Sequence, residues 1–403
     1  MVKNEIQYVH FFTLFEIPLL NGLFRPTSER GSGIKMINMG EIFEHSKIGN
    51  IDMQRVNLSP REMSKFLLQP GDLLFARSSL TLEGAGKCSL FQSSSEPVTF
   101  ESHIIRARLN KHIADPDYYY YFFNSTYGRG TIETIVEQVA AAGIRSSDLS
   151  NLIVPLPNLN NQKKISSMLC NFDNKIQNNN KINNLIKKIL NKIFIRWFLE
   201  FQFPSENNKP YKSIGGEMID SKIGRIPKGW KVDKLHNVVK ISSGKRPPYK
   251  SKEPSQKMKI PIYGSGGIMG YIDKSLFEEP ILLTGRVGTL GLIFYILDPV
   301  WVSDNTLVIT KSGNLQEYLY FVLQKINLAS LNRGSTQPLL TQTDLGNLNI
   351  LIPSEPLITN YHKFSRLLFD MINNNVAESK SLIQLRNRIT SKLISYTNKV
   401  SDS

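Results

Sequence analysis

Asp148-Leu149-Ser150-Asn151-Leu152 returns as Asp344-Leu345-Gly346-Asn347-Leu348, an interval of 196 residues (344 − 148). The interval extends well beyond the phrase. Pro157 falls on Pro353, and a seam of Ile165, Phe172, Asn179, Ile186 and Ile193 falls on Tyr361, Leu368, Asn375, Leu382 and Ile389. Both seams step by seven residues. Because 196 is 28 × 7, they share one heptad phase, as two matching helices packed in register require. The chain is a tandem duplication.

Outward from the repeated phrase, the order is globular, helix, globular, helix. Up to about residue 155, apolar runs such as Leu73-Leu74-Phe75 and Ile104-Ile105 are split by Pro70-Gly71-Asp72 and Ser93-Ser94-Ser95, the texture of strands and turns. From 158 to about 200 there is neither Gly nor Pro, and apolar residues recur every three or four positions, which predicts a long helix. Phe203-Pro204-Ser205 should stop it. Asn207-Asn208-Lys209-Pro210 and Gly215-Gly216 then read as a linker. The strand-and-turn texture returns from about 226 to 353, with Ile281-Leu282-Leu283 and Leu307-Val308-Ile309 as buried strands, and a second helix closes the chain. The expected fold is α+β: two mixed α/β parts separated by two long coiled-coil helices, with an internal pseudo-twofold repeat. Its boundaries are 1–157, 158–203, 204–354 with a linker at 204–225, and 355–403.

The globular parts do not keep the interval. Phe75-Ala76-Arg77 matches Thr284-Gly285-Arg286 at an offset of 209 (286 − 77), so insertions and deletions have accumulated there while the helices stayed in step. That pattern suits a rigid frame presenting two different readers. In the seams, Asn179 and Asn375 hold equivalent positions between apolar neighbours, where an asparagine fixes register at some loss of stability. In an antiparallel pair both sit near mid-length and can meet.

Lys and Arg number 49 against 34 Asp and Glu, a net charge of +15 that attracts polyanions. Part of this charge lies in loops beside turn formers, in Lys245-Arg246-Pro247-Pro248 and Asn332-Arg333-Gly334-Ser335, which points to nucleic acid. No apolar run approaches the ~20 residues of a membrane span, and Met1-Val2-Lys3-Asn4-Glu5-Ile6-Gln7 builds no signal peptide, so a cytoplasmic protein without membrane contact is expected. Cys88 and Cys170 lie near no ligand cluster and read as small buried or partly buried hydrophobes.

Catalytic signatures fail where their chemistry lies. An amino-methyltransferase needs Asn or Asp before Pro-Pro-aromatic to hold the target amine; the nearest match, Arg246-Pro247-Pro248-Tyr249, offers a guanidinium that accepts no hydrogen bond. Gly285, Gly288 and Gly291 make neither a dinucleotide fingerprint nor a phosphate loop and read as turns. Gly86-Lys87 resembles the end of a phosphate loop, but Thr81 and Cys88 replace its first glycine and its hydroxyl residue. His10, His45, His103, His112, His236 and His362 show no metal spacing. No catalytic or metal-binding residue is assigned.

Lys222-Ile223-Gly224-Arg225-Ile226-Pro227-Lys228-Gly229-Trp230, followed by Val239-Lys240-Ile241-Ser242-Ser243-Gly244, opens the second globular part. With Pro70-Gly71-Asp72-Leu73-Leu74, and with Asp148 to Pro157 leading into Asn161-Gln162-Lys163-Lys164-Ile165, it resembles the specificity subunits of type I restriction-modification systems over nearly the whole chain. Two places depart from that pattern. The first globular part lacks the Ile-Pro-x-Gly-Trp opening and starts at Phe15-Glu16-Ile17-Pro18, and Leu357-Ile358-Thr359-Asn360-Tyr361 stands where a Glu-Gln-Lys-Lys-Ile-like phrase is usual.

The resemblance implies a non-catalytic subunit that reads a split target in double-stranded DNA. Each globular part is then a target-recognition domain for one half-site, and the two long coiled-coil helices pack antiparallel as a spacer that sets the gap. Partners would be two modification subunits, which bring S-adenosylmethionine and methylate adenine, and restriction/translocase subunits, which bring ATP and Mg2+; this chain would hold no cofactor. Arg77 and Arg286 at matched positions, with Arg145, Lys245, Arg246, Arg333 and Gln337 in loops, carry the donors that phosphates and purine edges need. Two other readings stay open: the recognition half of a single-chain restriction-methyltransferase, and a coiled-coil scaffold without DNA specificity.

Overall fold

The computed structural model of the chain describes residues 7–138, 142–310, 313–334 and 337–396, the side chains of 393–396 excepted. It divides into two compact units, residues 1–178 with 379–403 and residues 179–378. The boundary runs through the long helices rather than at their ends. The apolar face of each helix half is buried on the globular part of its own unit, so packing divides the chain where sequence texture does not.

In the first unit a five-stranded sheet has the order Phe15–Asn21, Ile104–Leu109, Leu73–Ala76, Cys88–Phe91, Lys47–Ile48. Leu73–Ala76 is buried throughout, as its unbroken apolar run predicts for a strand covered on both faces. One face packs on the helix Pro116–Phe123, whose Tyr118-Tyr119-Tyr120-Tyr121-Phe122-Phe123 run is wholly buried, and on Leu169 of the first long helix. In the second unit the order is Lys240–Ser243, Thr306–Thr310, Ile281–Gly285, Ile293–Ile296, and the covering helix is Gln316–Lys325.

The duplication is visible in hydrogen bonds. Each repeated phrase leads into a strand that pairs antiparallel with a strand from the start of its globular part, Ile153–Leu156 with Gln7–His10 and Asn349–Ile352 with Lys231–Lys234. The hydroxyl of Tyr119 donates to the Pro155 carbonyl at 2.8 Å and that of Tyr318 to the Leu351 carbonyl at 2.7 Å, the two carbonyls being one interval apart. Two of the scattered histidines are ties of the same kind, His10 to the Asn151 carbonyl and His236 to the Gly346 carbonyl.

The long helices are Leu159–Phe194 and Glu355–Tyr396. The first does not run to Phe203. Past Phe194 it widens into a π-turn over Ile195–Leu199 and ends there, because Phe201 adopts a left-handed backbone (φ 57°) that no helix continues. The helices pair antiparallel within each unit. In the first, Arg386 reaches Asp173 at 2.5 Å; in the second, the Asn179 amide donates to Glu378 at 2.8 Å and to the Asn375 carbonyl at 3.4 Å, and the Asn375 amide donates to Asn183 at 2.8 Å. The asparagines thus meet within a wider polar network. None of the other seam positions is exposed: Ile186 and Tyr361 are buried, and Ile165, Phe172, Ile193, Leu368, Leu382 and Ile389 are half-buried.

Cys88 is buried in the first core, as read from the sequence, but Cys170 is not simply a hydrophobe. Its thiol lies 3.3 Å from both Lys47 Nζ and Asp117, in a cluster where Lys47 also approaches Asp173 and Tyr121 donates to Asp173. Burial alone would lower the Lys47 pKa, yet Asp117 and Cys170 outweigh it and the ammonium is held more firmly than usual. A strand residue 123 positions away supplies that lysine, so helix spacing carries no sign of the cluster. Among the described residues no helix is long and apolar enough to cross a membrane.

Candidate nucleic-acid interface

Arg77 and Arg286 follow the central strand of their sheets and sit in one backbone bracket. The Arg77 amide donates to the His103 carbonyl (2.8 Å) and its carbonyl accepts from Ile144 (2.9 Å); the Arg286 amide donates to the Asn305 carbonyl (2.8 Å) and its carbonyl accepts from Leu340 (2.9 Å). Ile144 and Leu340 are themselves one interval apart, so the two arginines are structurally equivalent even though their loops have lost the interval.

In the first unit Arg77, Ser78, His103, Glu137, Gly143, Ile144 and Arg145 line a shallow cavity of about 340 Å³. Ser78 and Ser79 pair with Ala142–Gly143, which binds the loop after Arg77 to the segment before Arg145. Ser78 Oγ and His103 Nδ1 are 3.1 Å apart. Arg145 is exposed, and its guanidinium holds Glu137 at 2.6 Å. Behind the loop, Lys87 donates to the Phe43 carbonyl and Arg129 to the carbonyls of Glu83 and Ala85. Burial and then the Arg129 cation push the Lys87 pKa down.

The second unit gathers its cations differently. Arg286 is half-buried and points Nη1 at the Asp304 carbonyl, 3.4 Å away, while the Lys245 amide donates to Val302 at 2.8 Å, so the turn from Val302 to Thr306 anchors both. Gly244 is obligatory there, since a β-carbon would lie 2.3 Å from the carbonyl oxygens of Val302 and Ser303. Gly288 donates to the Pro338 carbonyl and the Arg333 amide to the Leu339 carbonyl, which brings the chain on either side of Gln337 to the Arg286 loop. Arg246, Gln337 and Arg333 are exposed; Ser335 lies outside the described residues. Gly285 closes its strand, and Gly288 (φ 84°) and Gly291 (φ 87°) make the left-handed turns of the loop.

One swap between the units is explicit. Arg145 stands where the second unit has Thr341, one interval on, and Thr341 caps the helix Gln342–Gly346 by accepting from the Asp344 amide. There the cation is supplied by Arg333 instead, whose guanidinium binds Asp344 at 2.5 Å. The Thr341 hydroxyl, then Arg333, hold the Asp344 carboxyl below its usual pKa. His103, Lys87, Arg129 and Asn305 were not assigned to this site from the sequence; the metal search touched His103 and the Gly86-Lys87 match touched Lys87, and both looked for other chemistry.

The array can do one kind of chemistry: it presents guanidinium, ammonium, amide and hydroxyl donors in two separate clusters, with an acceptor-only carboxylate in each. Donors of this kind suit phosphate oxygens and base edges.

Comparison with known proteins agrees. The family model described as the type I restriction modification DNA specificity domain matches residues 23–188 and again 227–385. The type I restriction enzyme MjaIX specificity subunit of Methanocaldococcus jannaschii is 26% identical over 302 residues, covering 69% of this chain and 68% of its own. The EcoKI specificity subunit of Escherichia coli is 30% identical over 202 residues, covering 47% of this chain and 42% of its own. In fold, the chain is similar to the crystal structure of the type I restriction-modification S subunit from M. genitalium, with a TM-score of 0.63 at 17% identity over 98% of both chains.

Proposed function

This chain belongs to the type I restriction modification DNA specificity family, and we propose from that premise that it reads a bipartite target in double-stranded DNA, one half-site per unit. The observation that carries the proposal is the matched bracket around Arg77 and Arg286, one reading loop built twice on two diverged surroundings. In the first unit Arg77 and Arg145 face the half-site with Ser78; in the second Arg286, Lys245, Arg246, Arg333 and Gln337 do so. Arginine suits guanine O6 and N7 or phosphate, and Gln337 suits adenine N6 and N7. The +15 charge supplies a sequence-independent attraction that weakens as salt rises.

Within this reading the long antiparallel helices set the gap between half-sites. A gap must be kept to within about one 3.4 Å base-pair rise, because a change also turns the reader to another face of the duplex. A helix advances 1.5 Å per residue and is stiff enough for the task. The chemistry belongs to partners: two modification subunits that bind S-adenosylmethionine and methylate adenine, and restriction/translocase subunits that use ATP and Mg2+. This chain holds no cofactor of its own and works in the cytoplasm.

The test is methylome sequencing of cells that carry the chain with its partner subunits, before and after residues 1–157 are exchanged for those of a relative. The expected result is a split methylated motif in which the exchange alters one half alone; a change in both halves, or in neither, defeats the reading. Methylation of DNA by the purified chain with S-adenosylmethionine would favour the single-chain enzyme instead.

A further inference from the structure

The loop that follows Arg77 carries an anomaly beside its donors. Leu80 is 99% exposed, at the corner between Ser79 and Thr81. Single exposed leucines are common and need no explanation, so exposure decides nothing by itself. Stiffness and surroundings decide more.

This corner cannot fold its leucine away. Ser78–Ser79 is a paired strand, the Thr81 amide donates to Ser79 Oγ (3.1 Å), and the Gly84 amide donates to Thr81 Oγ1 (3.2 Å), capping a 3-10 turn over Leu82–Gly84. The Gly86 amide then closes the loop on the Ala76 carbonyl at 2.8 Å. Arg77, which lines a cavity with Arg145, and Lys87 both stand at the base of this hairpin, where the Ala76 amide donates to the Lys87 carbonyl (2.9 Å), and Arg129 donates to the Glu83 and Ala85 carbonyls on its returning side. The second unit repeats the association: the loop after the equivalent Arg286 turns on Gly288 and Gly291 and presents Leu292, 45% exposed. Both matched arginines are thus followed by an aliphatic side chain left in water.

Resting on the DNA-reading function above, we infer that Leu80 is a base-reading residue, packing on the C5-methyl group of a thymine in the half-site of the first unit. The chemistry selects this ligand. The thymine methyl is the aliphatic group that base pairs offer in the major groove, and a leucine has no hydrogen bond to make with any other edge. A wedge driven between base steps is the other use of an exposed leucine, but it enters a dry stack. Along the chain Leu80 follows Arg77, Ser78 and Ser79 and precedes Thr81, polar side chains that a dry stack would exclude and that polar base edges or phosphates at the same depth would suit. Arg77 and Leu80 would read neighbouring positions, one by hydrogen bonds and one by shape.

The experiment uses the chain assembled with its modification subunits and duplexes bearing the motif found by methylome sequencing. Each thymine of the first unit's half-site is replaced in turn by deoxyuridine, which removes the methyl group alone. For the natural protein one replacement should weaken binding about three- to fivefold, the worth of one buried methyl. Leu80→Ala should lose a similar factor on the thymine duplex and no longer distinguish deoxyuridine from thymine, while replacements in the other half-site leave both proteins unaffected. Leu80 touches nothing in the fold, so the variant keeps its structure. The inference is overturned if Leu80→Ala still discriminates, if no thymine in that half-site matters, or if 2-aminopurine beside the site brightens with the natural protein and not the variant, the mark of a wedge. Arg77→Ala in the same assay separates the levels: if it weakens binding while Leu80→Ala does not discriminate, only the thymine contact falls; if neither variant changes binding, the loop is not the DNA interface.

Discussion

The two units fasten their covering helix to the long helices with different chemistry in one geometry. In the first, Gln162 is fully buried and accepts from the Asp115 amide (2.8 Å) while donating to the carbonyls of Ile113 and Pro157 (3.0 and 2.8 Å). One interval on, the second unit has Ile358, buried at 5% exposure among apolar neighbours. Further along, the first unit has the cluster of Lys47, Asp117, Tyr121, Cys170, Asp173 and Arg386, half-buried except for the buried Tyr121. The second concentrates the task in Glu317, fully buried, which accepts from Tyr295 and His362 at 2.6 Å each. What the duplication kept is the path of the backbone, marked by Tyr119 and Tyr318 on equivalent carbonyls. Side-chain chemistry has drifted around it, wherever a new set of partners could satisfy the same buried surface.

This contrast predicts unequal fragility, and the largest effect belongs to Glu317. Glu317→Ala leaves Tyr295 and His362 facing an empty buried site, and breaking a buried pair of this kind costs about 3–5 kcal/mol. Asp173→Ala should cost about 1–3 kcal/mol, because Lys47 retains Asp117 and the site is reached by water. Urea denaturation of the two variants decides; equal losses would mean that the distributed cluster is as brittle as the concentrated one.

Next in size is the exchange at the helix starts. Gln162→Ile leaves one amide and two carbonyls of the first unit without their partner, and Ile358→Gln buries an amide in an apolar pocket of the second, each at about 1–3 kcal/mol. Each residue should be right only in its own unit. If either substitution is neutral in thermal unfolding, the two helix starts are interchangeable and the drift there is without consequence.

Arg77→Ala and Arg286→Ala sharpen the comparison on the reading side. Each should weaken binding of the assembled complex by about 1–3 kcal/mol, with relaxed sequence preference confined to its own half-site. The half-buried Arg286, leaning on the Asp304 carbonyl, should also show a small stability loss that the exposed Arg77 does not. Methylome sequencing and thermal unfolding of both variants check the two statements separately.

Whether a feature could be read from the sequence follows the range of the interaction that makes it. The heptad seams and the repeated phrase were legible because helix and turn signals are local in sequence and the interval was never broken. So was the equivalence of Arg77 and Arg286, since each follows a buried strand. His103 and Asn305 beside them were not, because the pairing register of antiparallel strands decides which residues face the arginines. Lys47 beside Cys170, the division of the chain within its helices, and Leu80 at a stiff corner are likewise products of tertiary packing. The end of the first long helix was legible as about residue 200, but not what stops it, because the left-handed residue there is Phe201, not the glycine that usually marks such a position.

The smallest predicted effect tests how each unit restrains a cation near its reading loop. Arg145 and Glu137 are both exposed, at 68% and 48%, and a surface pair of this kind adds less than about 1 kcal/mol. Glu137→Gln should therefore leave thermal unfolding unchanged while freeing Arg145 for the duplex, so that DNA affinity rises slightly and its dependence on salt steepens by up to about one unit of slope. Asp344 in the second unit is not so free to change. Its carboxylate accepts from the Thr341 hydroxyl at 2.6 Å as well as from Arg333, and its amide is bonded by the Thr341 cap, so Asp344→Asn should disturb the start of the helix Gln342–Gly346 and lower the melting temperature. A steeper salt slope without a stability change for the first variant, and a stability change for the second, would show that one unit restrains its arginine by charge alone while the other builds the restraint into its fold. Identical behaviour of the two variants would remove that distinction.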